Sequence, residues 1–227
     1  IKAMKQLQEL YPELVEVSTI EKEYDMRSQL SVEAGIVDGN HPIARSCDHW
    51  FLRLRNKRLH ENRYELPQLF LSGELHGNER VAPNALLELV PFLPLLHFRH
   101  SFCSKTVLIL IPAIFVLFST LRVESPHPAN SFPSNSASNF DPLYAFLLDS
   151  REIVIMPMTN AWGFFQSRFD LLSLLTRSRD ENGIDVNRDF PFDPLRPSLP
   201  CLQSETSRAI QTLYAHSLLA ATVTFHG

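Results

Sequence analysis

His76 and Glu79 stand three residues apart in the stretch SGELHGNERVAP, Ser72 to Pro83, between an apolar strand-like run and an apolar helix-like run. An H-x-x-E pair on a tight turn or a first helical turn puts an imidazole and a carboxylate on one side of the backbone, where both reach one ion. His226, in the closing TVTFHG, would complete a His2Glu set. Such a set leaves a coordination position for water, and zinc lowers the pKa of that water to about 7. Each feature also has a plainer reading. H-x-x-E is often a solvated helix start, and a single His at a strand end is more often a surface or satisfied core residue.

A second polar cluster, GIDVNRDFP, carries Asp185, Asn187 and Arg188. As a loop it is punctuated by Gly183 and Pro191 in the ordinary way. As part of a site, Asp185 would take the free nitrogen of a ligand His and fix its tautomer. Arg188 would offer a planar fork to a substrate carboxylate, with Asn187 as a neutral donor to the same group. HGNE, GIDVNRDF and the final HG each fall just after predicted strand regions. In open α/β sheets, sites form beyond the carboxyl ends of strands, so residues distant in the chain can meet there.

The elements that must position these groups alternate along the chain. IKAMKQLQELYPEL places Met4, Leu7, Leu10, Tyr11 and Leu14 at helical spacing, with a stop near Pro12. LVEVSTI reads as a strand, residues 47 to 57 as a half-buried alternating strand, and LPQLFLSGE as a more fully buried one. VAPNALLELVPFLPLL predicts a helix through Leu86, Leu87, Leu89 and Val90 that stops at Pro91 or Pro94. DPLYAFLLD predicts a short helix, EIVIMPM a strand, TNAWGFFQSR a loop, CLQSETSRAIQTLYAHSLL a long helix and AATVTF a last strand. The fold class that follows is α/β, a mixed, largely parallel sheet with helices on both faces.

The 227 residues are 44% hydrophobic and 20% charged, enough for a single large core, and their net charge of −4 lacks the Lys/Arg cluster a nucleic-acid surface needs. Cys47, Cys103 and Cys201 are too scattered for a disulfide framework or a C-x-x-C pair, which leaves secreted and cytoplasmic locations both open. Residues 97–141 stand apart as an insertion. Their apolar run TVLILIPAIFVLFSTL is 16 residues long and contains Pro112, short of the roughly 20 that a membrane span needs. The chain stops directly after a strand-like run, so residues 1–227 read as one domain that is incomplete at its C-terminus. A monomer is the default expectation.

SGELHGNERVAP, IMPMTNAWGFFQSRF, GIDVNRDFP, the SETSRAI helix and TVTFHG together resemble, in order and strand context, the zinc metallocarboxypeptidases of the carboxypeptidase A/B type. The resemblance covers roughly residues 1–96 and 141–227. It implies one zinc ion held by His76, Glu79 and His226, with Asp185 behind the first His. It implies Asn187 and Arg188 as the pair that holds the terminal carboxylate of a peptide or protein substrate. Arg168 matches the arginine that polarises the scissile carbonyl and stabilises its oxyanion. The activity implied is removal of C-terminal residues by zinc-activated water.

This chain also departs from the pattern. Asn78 stands where many relatives carry Arg, and Asn160–Gly163 replaces the usual NPDG. The family's general-base Glu, mobile Tyr and specificity pocket all follow the third ligand. Two other readings therefore stand beside the first: a zinc amidohydrolase of the aspartoacylase or desuccinylase kind, which shares HGNE and D-x-N-R-x-F, and an inactive form that keeps the zinc and carboxylate sites. A binding module of unrelated function would have to treat three strand-end clusters as accidents. His41, His49, His60, His97, His100 and His216 have no ligand-spaced partners and read as surface or loop positions, His127 belongs to the insertion, and Trp50 and Trp162 read as packing residues.

Overall fold

The computed structural model describes residues 1–26, 48–62, 64, 66–103, 141–167, 183–191 and 200–227. Arg168, His41, Cys47, His127 and most of the 97–141 stretch, including its apolar run, lie outside the described residues. Among those described, no helix is long and apolar enough to cross a membrane.

Helix α1, Lys2–Leu10, buries Met4 and packs Leu7 and Tyr11 against the sheet, while Leu10 stays exposed. Strand β1, Val15–Thr19, runs into the short helix α2, Ile20–Tyr24, where the Thr19 hydroxyl caps the first turn by accepting from the Lys22 N–H. Strands β2, Trp50–Leu54, and β3, Gln68–Gly73, follow, and then helix α3, Val81–Cys103. Pro91 and Pro94 do not end α3 as expected. Val90 and Leu93 beside them are buried against the sheet, and tertiary packing overrides the local stop signal.

The chain continues through α4, Asp141–Ser150, β4, Glu152–Met156, and α5, Ala161–Ser167, the last lying in the segment read as a loop. A single 3-10 turn, Val186–Arg188, precedes α6, Glu205–Ala215, and the closing strand β5, Leu219–Phe225. The Ser204 hydroxyl caps α6, so the helix starts at Glu205, four residues later than the pattern CLQSETSRAI implied.

The strand order is β1-β2-β4-β3-β5. β1 and β2 pair antiparallel, as do β2 and β4, whereas β4, β3 and β5 run parallel. The sheet is therefore mixed, with its parallel part at the end that carries HGNE and the final HG.

Alternating strand residues separate into two cores. Leu52, Leu54, Leu71, Ile153 and Ile155 face Met4 of α1, Leu86 and Val90 of α3, and Leu148 of α4. Phe51, Phe70, Val154 and Met156 face Ile20 of α2 and Ile210 and Leu213 of α6. Helices thus cover both faces, and each fully buried aliphatic or Phe side chain contributes about 1.5–3 kcal/mol. β2 is not half-exposed as its alternation suggested. Arg53, at 1% exposure, is buried by ion pairs with Glu152 at 2.9 Å and Glu23 at 2.8 Å and by the Tyr24 hydroxyl.

Candidate metal centre

β3 ends at Gly73, and the next residue, Glu74, takes a left-handed φ of 59° that side chains other than glycine rarely adopt. This turns the chain sharply enough for the following residues to fold back over the sheet end. Three buried polar residues after β4 hold the turn by its carbonyls. The Thr159 N–H and hydroxyl donate to Gly73 O, at 3.1 and 2.9 Å. The Asn160 N–H and the Thr159 hydroxyl donate to Glu74 O, and Asn160 Nδ2 donates to Leu75 O. Ser167 Oγ donates to Gly77 O at 2.9 Å.

Asn160 also caps α5, its Oδ1 accepting from the Gly163 N–H at 2.8 Å. A Cβ on Gly77 would collide with the backbone of Gly163 and Phe164, so the ligand turn and α5 meet backbone to backbone. Sequence reading missed Thr159 and Ser167 and took Asn160 only as part of the loop that replaces NPDG. The available signal was Asn160, a capping residue at the head of AWGFFQS; Thr159 and Ser167 gave none.

Within this turn the Glu79 N–H donates to His76 O at 3.0 Å, and Glu79 Oε2 accepts from the His76 N–H at 3.2 Å. β5 pairs parallel with β3, Phe225 opposite Gly73, which lifts His226 to the same sheet end. His76 Nδ1 and His226 Nδ1 lie 2.7 and 2.8 Å from a single atom, Glu79 Oε1. On its other side His76 Nε2 meets Asp185 Oδ1 at 3.2 Å, and that same oxygen accepts from the Asn187 N–H at 3.0 Å as it caps the 3-10 turn.

These contacts constrain the protons. An Asp185 acceptor at Nε2 calls for hydrogen on Nε2, which leaves the Nδ1 lone pair of a neutral His76 facing a carboxylate oxygen. Two acceptors that close repel unless a proton or a metal ion lies between them. Burial pushes the Glu79 carboxyl up, but the His76 and His226 imidazoles beside it and the hydrogen bond from the His76 N–H outweigh that and hold it below the usual carboxylate range. Glu79 is therefore anionic near neutral pH. One ligand atom from each of His76, Glu79 and His226 lies within 4.8 Å of the others. Two imidazoles and a carboxylate, with a second carboxylate fixing one tautomer, form a donor set suited to zinc.

The cleft above this group is lined by His76, Asn78, Glu79, Asn187, His226 and Gly227. The structure thus brings together His76, Glu79, His226, Asp185 and Asn187. Arg188 sits on the same 3-10 turn, but its side chain is exposed and donates to its neighbour's carbonyl, Asn187 O, at 3.1 Å, outside the lining.

Other histidines fall elsewhere. His49 is buried, not on the surface as expected, because Glu21 accepts from both its N–H and its ring. His60 is bound to Asp149 O, and His97 and His100 fall within α3. Exposed His216 caps the end of α6. Trp50 packs at the edge of the α1 core.

Glu74 is the group with no sequence signal. It is fully buried, neither carboxyl oxygen has a hydrogen-bond partner among the described residues, and burial together with the nearby Glu79 pushes it up to about 9 despite Arg80.

No family model matches the chain, and no curated protein matches it in sequence. Its fold is similar to that of carboxypeptidase A from Helicoverpa armigera, at 15% identity and a TM-score of 0.52, over 99% of this chain and 43% of that one. It is also similar to thrombin activatable fibrinolysis inhibitor, at 14% identity and a TM-score of 0.55, over 99% of this chain and 45% of that one. The chain spans less than half the length of these solved structures. At such identities the likeness is one of fold, and function must be argued from the site.

Proposed function

We propose that this chain carries the zinc site of a metallocarboxypeptidase acting on peptide or protein C-termini. The observation that carries the reading is the convergence of His76 Nδ1, His226 Nδ1 and Glu79 Oε1, with Asp185 behind His76. The carboxypeptidase-like fold supports it independently.

In this reading His76, Glu79 and His226 hold one zinc ion, which when bound supplies Lewis acidity toward a carbonyl and makes water acidic near neutral pH. Asp185 keeps the proton of His76 on Nε2, so that Nδ1 stays a lone-pair donor. The Asn187 amide, already in the cleft lining, and the Arg188 guanidinium clamp the terminal carboxylate of the substrate. For that Arg188 must leave Asn187 O and swing inward. Fixing the chain end places the last peptide bond over the ligands and removes most of the orientational freedom that opposes reaction. Arg168 stabilises the oxyanion.

A second reading has one observation in its favour. Asn78 lines the cleft and brings a neutral amide instead of a cation, which suits cleavage of a small acylated amino acid. Assays of the zinc-loaded protein on blocked dipeptides and on N-acetyl-aspartate separate the two. Release of the C-terminal residue from the dipeptides, lost in Arg188→Ala, is the expected result. Turnover of N-acetyl-aspartate alone would replace the first reading by the second.

A further inference from the structure

Asp185 reaches His76 from a turn of only three residues, Val186–Arg188, which is too short to fix its own place against the sheet. Val186 beds the turn in the core beside Ile210 and Leu213, and the next acidic residue ties it to the head of α6. Asp189 is 2% exposed and saturated with donors from the head of α6. Its Oδ1 accepts from the Gln203 N–H at 3.0 Å, and its Oδ2 from the Ser204 N–H at 2.7 Å and the Ser207 hydroxyl at 2.6 Å. Its backbone oxygen accepts from the Leu202 N–H at 2.7 Å, and its own N–H closes the 3-10 turn on Val186 O. Leu202, like Glu74, holds a left-handed φ, 54°, which turns the chain just before the 203 and 204 N–H groups that Asp189 receives.

A carboxylate met by this many donors at a helix head is stabilised as the anion. Burial pushes Asp189 up, but the Ser207, Gln203 and Ser204 hydrogen bonds outweigh that and hold it below the usual carboxylate range. The same bonds join two segments separated in sequence, the Asp185–Asp189 turn and α6. Since α6 is held by Ile210 and Leu213 in the core, the turn inherits the helix's fixed position.

We propose that Asp189 is a positioning residue of the metal centre, locking Asp185 onto His76 Nε2 from the head of α6 and so setting the metal affinity of the ligand group. This rests on the zinc-site reading above and adds to it a residue that neither lines the cleft nor touches a ligand.

The test is a double-mutant cycle on the full chain with zinc itself as the probe. Affinity is read by competition with a chromophoric chelator, for wild type, Asp185→Ala, Asp189→Ala and the double variant. Removing the partner of a ligand His lowers metal affinity about 10- to 100-fold, which is the effect expected of Asp185→Ala. Asp189→Ala should lose about tenfold, and the double variant should be no weaker than Asp185→Ala alone, because both act through one contact. Ser207→Ala, which removes one donor, should lose less, in the same direction, and serves should Asp189→Ala not fold. Glu21→Gln, which weakens the part-buried contacts between α2 and His49, controls for general loosening and should leave affinity unchanged.

A second readout needs no metal. Imidazole nitrogen NMR of the metal-free protein should show His76 protonated on Nε2, with that signature weakened alike in Asp185→Ala and Asp189→Ala. Full affinity and an unchanged His76 signature in Asp189→Ala, or additive losses in the cycle, would overturn the proposal while leaving the zinc site intact. A wild type that binds no zinc yet shows the coupled NMR change would overturn the zinc reading and leave the coupling standing.

Discussion

β3 has a buried charged cluster at each end, and the two are built on opposite plans. At its start, Glu152 of the neighbouring strand meets Arg53 at 2.9 Å, Arg55 at 3.0 Å and Gln68 at 2.7 Å, and Arg53 also takes Glu23. Cations and carboxylates are interleaved, so nearly every charge has an opposite one beside it. At its finish, Glu79 and Asp185 gather around two imidazoles, while the nearby Arg80 is engaged by Ser167 and the Phe164 ring. Burial of balanced charge makes a scaffold. Burial of surplus negative charge around lone-pair donors leaves a place for a cation.

The sharpest way to break this contrast is to remove one carboxylate from the balanced end. Glu152→Ala leaves Arg53, at 1% exposure, with Glu23 as its remaining carboxylate and takes the close carboxylate from Arg55, and loss of one partner of a buried pair costs about 3–5 kcal/mol. Urea unfolding should show that loss, while zinc affinity of the folded fraction stays at the wild-type value. Zinc binding that fell with Glu152→Ala would mean that the two ends are not separate devices.

Next in size is the effect of metal itself. Zinc at a hundredfold excess over its Kd should stabilise the folded wild type by about 2.7 kcal/mol. The same shift is expected in Glu152→Ala and none in His76→Ala, as read by thermal unfolding with and without chelator.

Glu74 sharpens the comparison from the other side. Its left-handed backbone and its buried carboxyl, without a hydrogen-bond partner among the described residues, both oppose folding. Glu74→Gly should therefore raise stability by about 1–2 kcal/mol after the glycine's entropy cost in the unfolded chain. A destabilised Glu74→Gly would show that the carboxyl is held by something favourable.

The smallest effect is in acid. Burial raises the Glu21 carboxyl, but the His49 ring and N–H hold it below its ordinary value of 4.5. A depressed carboxylate gives stability that is present above 4.5 and lost as pH falls through the folded value. Wild type should lose stability over that window, and Glu21→Gln, already without the contribution, should show a shallower loss.

Much of this was legible in the sequence because it is local. H-x-x-E spacing, D-x-N-R and a His after a final strand are short patterns, and strand ends were marked by turn residues, so the sheet end that gathers them could be anticipated. What was hidden depends on partners far away in the chain. Arg53 in an alternating strand looked solvent-facing, because its buried partner Glu152 lies 99 residues on. His49 looked like a loop residue for the same reason, with Glu21 across a 28-residue separation. Thr159 and Ser167 carry no motif, since what they bind is backbone carbonyl. The Pro91 and Pro94 stop signals were real locally and were overruled by a buried helix face. Arg168, the one site residue chosen by loop position, lies outside the described residues.

Metal content per chain tests the surplus-charge end most directly. After incubation with zinc and desalting, elemental analysis should find one zinc ion per wild-type chain and none in His226→Ala, whose side chain is 43% exposed and can be removed without disturbing the core. Equal zinc in both proteins, or none in either, would contradict a shared site at His76, Glu79 and His226.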